Sequence, residues 1–276
     1  MEACLRVLVT GVAGFIGFHV ARALMARGDT VLGIDNINDH YARELKLGRL
    51  SELKALEDFH FHELDIADIA GLERSIPVAQ IEGVVHLAAR PGVRDSIQQP
   101  LNYVSSNLVG HVNVLELCRR MPDLRHAVYA SSSSVYGGND KLPFSEHDRV
   151  DEPMSVYAAT KRADELLSHS FAHLYGLPLT GLRFFTVYGP WGRPDMAVWS
   201  FTEALFHGRQ IKLFNHGRMR RDFTYIDDIV AGVVAVLDRP PPAGHRVYNL
   251  GNSHSEDLLH LIGLLERATG HTAKLA

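Results

Sequence analysis

Short runs of consecutive apolar residues alternate along this chain with longer stretches in which apolar positions recur every three or four residues. LRVLVTG is followed by Phe15 to Arg27, TVLGID by Asp39 to Leu56, FHFHELD by Asp68 to Ser75, and GVVHLAA by Pro100 to Met121. The first kind reads as strands buried on both faces and the second as amphipathic helices. Their β-α-β-α order predicts an α/β fold, a doubly wound parallel sheet with helices on both sides. HAVYASSSSVYG, a helix from about Ser155 to Tyr175 and the strand PLTGLRFF continue the series. After Gly189 the rhythm breaks. Strands shorten, and glycine and proline punctuate the chain at GPWGRP, NHGRM and PPPAG, which predicts a smaller cap interleaved with the main sheet. The expected division is residues 1–189 for the doubly wound body and 190–276 for the cap.

Composition narrows the classes. With 276 residues, 46% hydrophobic and 22% charged, the chain is globular rather than disordered or fibrous. A net charge of −4 argues against a broad nucleic-acid surface. Cys4 and Cys118 fall in stretches that read as a strand and a helix, so buried reduced thiols are expected, in keeping with a cytoplasmic location. The run Leu5 to Val9 is too short to span a membrane and lacks a signal-peptide layout. The sixteen histidines show no ligand spacing, and His60 and His62 merely alternate along a strand, so no metal site is expected.

Chemistry enters at the first strand-to-helix junction. Val7 to Thr10 leads into Gly11-Val-Ala-Gly14-Phe15-Ile16-Gly17 and then a helix. Glycines at this spacing allow a tight turn, close approach of a pyrophosphate and close helix–strand packing, with the phosphate at a helix N-terminus. A plain strand-to-helix turn has the same spacing. The second strand, however, ends in Asp35-Asn36, about twenty residues on, where a carboxylate can accept from a ribose diol and would repel a 2′-phosphate. NAD is therefore favoured over NADP as cofactor. Asp65 and Ile66 end the third strand, where they can flank an adenine, although an aspartate there serves equally as a helix N-cap. Leu87, Ala88 and Ala89 end the fourth with side chains small enough for a dinucleotide to lie close. Tyr157 and Lys161, four apart on a helix, share one face and follow the serine cluster Ser131 to Ser134.

Together these elements resemble the extended short-chain dehydrogenase/reductase family, whose members carry T-G-x-x-G-F-I-G, a Ser or Thr after the fifth strand, and Y-x-x-x-K on a Rossmann body. The resemblance covers essentially the whole chain. ASSSSVYG, Tyr157-Ala-Ala-Thr-Lys161, LRFFTVYGPWGRPDM and HGRMRRDFTYIDDI are similar to the UDP-glucuronate 4-epimerase subgroup. It implies a UDP-sugar substrate and Ser132, Tyr157 and Lys161 as catalytic residues. Ser132 would hydrogen-bond the sugar O4 while Tyr157 removes its proton, and the C4 hydride would go to NAD and return on the other face. The Lys161 ammonium and a cationic nicotinamide both favour the phenolate, which explains the residue types.

The resemblance further implies cofactor contacts from Asn107, Tyr157, Lys161 and Phe184. It also implies sugar or phosphate contacts from Arg94 and Arg193, and pyrophosphate pairing by Arg221. Backbone recognition of uracil falls to the strand containing Lys212, with Phe214 against the base. Arg193 reads equally as a solvated loop charge, and Ile211 to Phe214 as an edge strand with one core aromatic. Trp199, Phe184 and Phe185 read as core. A homodimer formed through the two long helices is also implied.

Dehydratases and decarboxylases of this family carry an acid just after the catalytic Ser or Thr, and here Ser133 and Ser134 stand there. Neutral hydroxyls suit a substrate carboxylate that a glutamate would repel. Ser133, Ser134 and Thr186 are therefore expected to hold the C6 carboxylate, unless the serines merely end a strand. The alternatives are a UDP-glucose/UDP-galactose 4-epimerase and a non-catalytic NAD-binding regulator. Relatives are expected to continue past the equivalent of His271 to Ala276 with a segment that helps enclose the uridine.

Overall fold

The computed structural model describes residues 4–242 and 244–276, with the side chains of Phe214 and His216 excepted. The expected location of Phe214 against a base therefore lies outside what is described.

The first half alternates strands and helices. It runs β1 (Arg6–Thr10), α1 (Phe15–Ala26), β2 (Thr30–Asp35), α2 (Arg43–Lys54), β3 (Phe59–Glu63), α3 (Ile69–Ser75) and β4 (Gly83–His86). Next come α4 (Val93–Gln98), α5 (Pro100–Tyr103), α6 (Gly110–Arg119), β5 (His126–Ser132), α7 (Val156–Tyr175) and β6 (Leu179–Phe184). The remainder comprises β7 (Thr186–Tyr188), α8 (Ala197–Phe206), β8 (Gln210–Ile211), β9 (Arg220–Tyr225) and α9 (Ile226–Leu237). It closes with β10 (His245–Leu250), β11 (Ser255–Asp257), α10 (Leu258–Thr269) and β12 (Lys274–Leu275).

Seven strands form one parallel sheet in the order β10-β6-β5-β4-β1-β2-β3. Its strands are buried on both faces for the reason their sequences are uniformly apolar. Val7 and Val9 point into one core with Phe18, Leu24 and Val233, while Leu8 between them points into the opposite core with Leu72, Leu117 and Leu179. The strand order reverses between β1 and β4, so a crevice opens there beyond the carboxyl ends. Strand β10 lies in the main sheet although it follows β7, α8, β8, β9 and α9. Outside that sheet are a three-stranded sheet, β11-β9-β7, and the β12-β8 pair.

Local chemistry moves several boundaries. The second helix starts at Arg43 rather than near Asp39, because the side chains of Asn36 and Asn38 accept from the backbone of Asn38 and His40 and hold a non-helical turn. The long helix over 100–121 is interrupted by a π-helical stretch, Val104–Val109. Cys4 is exposed and precedes β1, whereas Cys118 is buried as expected. Trp199 is 36% exposed on α8, so it is not a core residue. Phe184 is buried and Phe185 half-buried.

Candidate active site

The crevice above β1 and β4 is a cleft of about 1380 Å³ that runs from the glycine turn to the cap. Gly11 sits at φ +72, where an L side chain is strained, and a Cβ there would lie 2.7 Å from the Ala88 nitrogen. At Gly17 a Cβ would meet the Gly11 carbonyl at 2.2 Å. The turn is thus packed directly on the ends of β1 and β4. It leaves Gly11, Gly14, Phe15, Ile16 and Gly17 lining the cleft at the start of α1.

Asp35 ends β2 with its carboxylate held from two sides. Oδ2 accepts from the Ala13 nitrogen at 3.1 Å and Oδ1 from the Ile37 nitrogen at 2.9 Å, with Lys46 Nζ 4.0 Å away. Burial pushes its carboxyl above the ordinary value, against the attraction of Lys46. Asn36 donates to Asp65 Oδ2 at 2.8 Å, and the other oxygen of Asp65 accepts from the Ala67 nitrogen. The N-cap of α3 is Asp68, which accepts from Gly71, so the capping role open to Asp65 is filled elsewhere. Asp65, Ile66, Leu87, Ala88, Ala89 and Phe184 line the same cleft.

Asn107 does not. It is buried at 1% exposure, and its amide is consumed by the backbone of Arg90 and by Thr160 Oγ1 at 2.9 Å. In this structure it acts as an internal brace between Arg90 and α7.

The candidate catalytic side chains come from two places, α7 and the end of β5. Ser155 caps α7 by accepting from the Ala158 nitrogen, which sets Tyr157 in the first turn and Lys161 one turn on. Lys161 Nζ donates to the Ala130 carbonyl of β5 at 3.0 Å and to Asp164 Oδ2 at 3.0 Å. Where β5 ends, Ser132 Oγ accepts from the Ser134 nitrogen and donates to Ser134 Oγ at 3.1 Å. Ser131, on the opposite face of the strand, donates instead to Glu165 at 2.6 Å. Tyr103, fully buried, stands edge-on to Tyr157 with ring centres 6.2 Å apart.

Ser132, Ser133, Ser134, Tyr157, Lys161, Thr186, Arg94, Arg193, Lys212 and Arg221 all line the cleft. Arg193 pairs with Asp195, Nε to Oδ1 at 3.0 Å. Arg221 lies on β9, in register with Glu256 of β11.

Sequence reasoning missed His40, Arg90 and Asp95, which also line the cleft, and the buried Arg49 and Asp164. Asp164 alone left a signal, a charge three residues after Lys161 on a face that packs inward. Among the described residues no group of three or more potential ligands could hold a metal ion, and no helix is long and apolar enough to cross a membrane.

The chain matches the NAD dependent epimerase/dehydratase family over residues 7–251. It belongs to that family. Among members, UDP-glucuronate 4-epimerase 4 of Arabidopsis thaliana is 49% identical over 282 residues, covering 97% of this chain and 64% of that protein. A crystal structure of UDP-glucuronic acid 4-epimerase from Bacillus cereus, with UDP-glucuronic acid and NAD, superposes with a TM-score of 0.90. It is 35% identical and covers 99% of this chain and 85% of its own. The UDP-glucose 4-epimerase of Thermotoga maritima with UDP-glucose gives a TM-score of 0.88 at 29% identity, covering 99% and 85%. The backbone of this NAD dependent epimerase/dehydratase fold is thus shared with a UDP-glucuronic acid epimerase and a UDP-glucose epimerase alike.

Proposed function

We propose that the chain interconverts UDP-glucuronate and UDP-galacturonate by epimerisation at C4 through a 4-keto sugar, with NAD as resident cofactor. The observation that carries this reading is a single cleft lined both by Ser132, Tyr157 and Lys161 and by the hydroxyl-bearing Ser133, Ser134 and Thr186. The glycine turn and Asp35 fit a dinucleotide, since Gly11, Gly14 and Gly17 and the carboxylate at the end of β2 line the same cleft.

NAD, which the glycine turn and Asp35 would hold, would supply a reversible hydride acceptor for the sugar C4. The protein's own residues do the rest. Tyr157, as phenolate beside the Lys161 ammonium, takes the O4 proton, and Ser132 holds that oxygen. The resulting C4 ketone lies β to the C6 carboxylate, an arrangement prone to lose carbon dioxide. Ser133, Ser134 and Thr186 hold the carboxylate with its bond to C5 near the plane of the ketone, where cleavage gains little from a developing enolate. Once the keto sugar has turned over, Tyr157 returns the proton and the C4 configuration is inverted. Arg94, Arg193 and Arg221 bind the sugar and pyrophosphate, and the backbone around Lys212 reads the base.

The division into a cofactor-binding part, 1–189, and a substrate-binding part, 190–276, belongs to this reading, as does a homodimer. The dimer is supported by exposed apolar side chains on the outer faces of two adjacent helical runs. They are Leu101, Val104 and Val109 on one and Leu166 and Leu174 on α7. Two free cysteines are in keeping with a cytoplasmic location.

Proton NMR of UDP-glucuronate incubated with the protein, with and without NAD, tests the function. UDP-galacturonate as sole product supports it. A pentose product or turnover of UDP-glucose alone overturns it in favour of a decarboxylase or a neutral-sugar epimerase.

A further inference from the structure

Lys161 is gripped inside the protein on two sides, by the Ala130 carbonyl and by Asp164 Oδ2, each at 3.0 Å. Both side chains are out of water, Lys161 at 3% and Asp164 at 0% exposure. An ammonium carries three protons. Two are therefore committed, and one is left for the cleft. The Asp164 carboxylate has no other hydrogen bond: its Oδ1 is buried without a partner.

The next residue, Glu165, shows what a structurally satisfied carboxylate looks like in the same helix. It accepts from Ser131, from Arg162 and from two nitrogens of Arg183. Burial would raise its carboxyl, but the Arg183 hydrogen bonds overcome this and hold it below the ordinary value. Asp164 has one partner only, and that partner is the cation expected to act on Tyr157. A buried carboxylate with an unused oxygen costs the fold stability rather than adding it. Its place is better explained by what it does to Lys161.

We propose that Asp164 is a positioning residue for the catalytic pair: it keeps the buried Lys161 charged, fixes the rotation of Nζ so that the third N–H faces the cleft, and offsets part of the ammonium's potential at Tyr157. This rests on the reading of Tyr157 as base and Lys161 as its partner.

The ionisable groups around the pair come from every packed element. They are Glu165 on α7 itself, Tyr129 on β5, His111 on α6, His86 on β4 and, behind Glu165, Arg183 on β6. The two imidazoles are driven neutral, first by burial and then by other nearby positive charge, Lys161 included. Tyr129 is kept protonated by burial. Asp164 is the member that changes charge near working pH, because burial pushes its carboxyl up to about 6 despite Lys161.

The test is Asp164→Asn, which keeps an oxygen for Nζ and removes the charge, with Asp164→Ser as a second neutral variant. On the holoenzyme, the part of the kcat–pH profile above about pH 6, where Asp164 is charged, is expected to move down by about one pH unit, with KM for the sugar changed less than kcat. An independent readout is the tyrosinate absorbance of the sugar-free protein, titrated against a Tyr157→Phe reference made in the same background. The Tyr157 component is expected to move the same way. Profiles and absorbance titrations that superpose on those of the unsubstituted protein overturn the proposal, as does loss of the fold in both variants. Failure of the functional reading is separately visible. It would appear as no turnover of any UDP-sugar by the unsubstituted holoenzyme, while the absorbance titration would still report the coupling of Asp164 to Tyr157.

Discussion

Arg49 donates to the Trp191 carbonyl through both Nη2, at 2.6 Å, and Nε, at 3.2 Å, from a helix 142 residues away in sequence. The same guanidinium donates to the Ala13 carbonyl at 2.9 Å, to Gly192 at 3.2 Å and to the Tyr41 hydroxyl at 2.7 Å. It is fully buried. One side chain thus ties the glycine turn to the loop that presents Arg193. Lysine cannot reproduce that planar fork. Arg49→Lys should therefore raise the Kd for NAD and the KM for UDP-glucuronate together, each by about tenfold, as two hydrogen bonds from a charged donor are lost. Calorimetry with NAD and steady-state kinetics check it, and a change confined to one ligand would contradict the coupling.

Tyr157 carries the proton in the proposed mechanism and makes no hydrogen bond needed by the turn that holds the dinucleotide. Tyr157→Phe should lower kcat by about 10²–10⁴-fold, the range for removal of a general base, with NAD affinity changed less than threefold. Single-turnover rates and NAD titration separate the two quantities.

Thr186 stands on β7 at the edge of the cleft, half-buried, beside the end of β6. If its hydroxyl helps to hold the C6 carboxylate, Thr186→Ala should lower kcat/KM for UDP-glucuronate by about 10–100-fold, the worth of one hydrogen bond to a charged group. It should also release a decarboxylated by-product visible by NMR. Unchanged epimerisation with no by-product removes Thr186 from that role.

Buried histidines make stability depend on acid. Burial drives His86 down to about 3 and His245 down to about 4, so both are neutral in the folded chain, whereas the unfolded chain protonates them near 6.5. Between these values the unfolded state binds more protons. The stabilisation is complete above about pH 6.5 and is lost as pH falls toward 4 and then 3. Thermal melts should accordingly show Tm falling over that window. In a His86→Gln variant the slope should be shallower below pH 6, because one of the titrating groups is gone.

Much of the fold could be read from the sequence because its strands are buried on both faces. LRVLVT and GVVH are apolar without alternation, and the glycine turn marks where the first strand must stop. What escaped notice depends on partners distant in the chain. Nothing near Arg49 announces three backbone carbonyls from two loops, and nothing near Asn107 shows that its amide is already used by Arg90 and Thr160. The start of α2 was hidden by Asn36 and Asn38, whose side chains compete for the local backbone. The serines after β5 were legible as a cluster, but only the pleat separates Ser131, turned to Glu165, from Ser132, turned to the cleft.

The seventh strand of the main sheet has a consequence for how the chain is made. β10 pairs with β6, yet residues 185–244 lie between them. On a ribosome the outer edge of β6 emerges first and stands unpaired while the intervening cap segments are translated. An open edge of a hydrophobic parallel sheet invites pairing with other chains. Nascent chains stalled or cleaved between residues 185 and 244 would be sticky intermediates rather than small stable domains, and chaperone capture during synthesis would be concentrated in that interval.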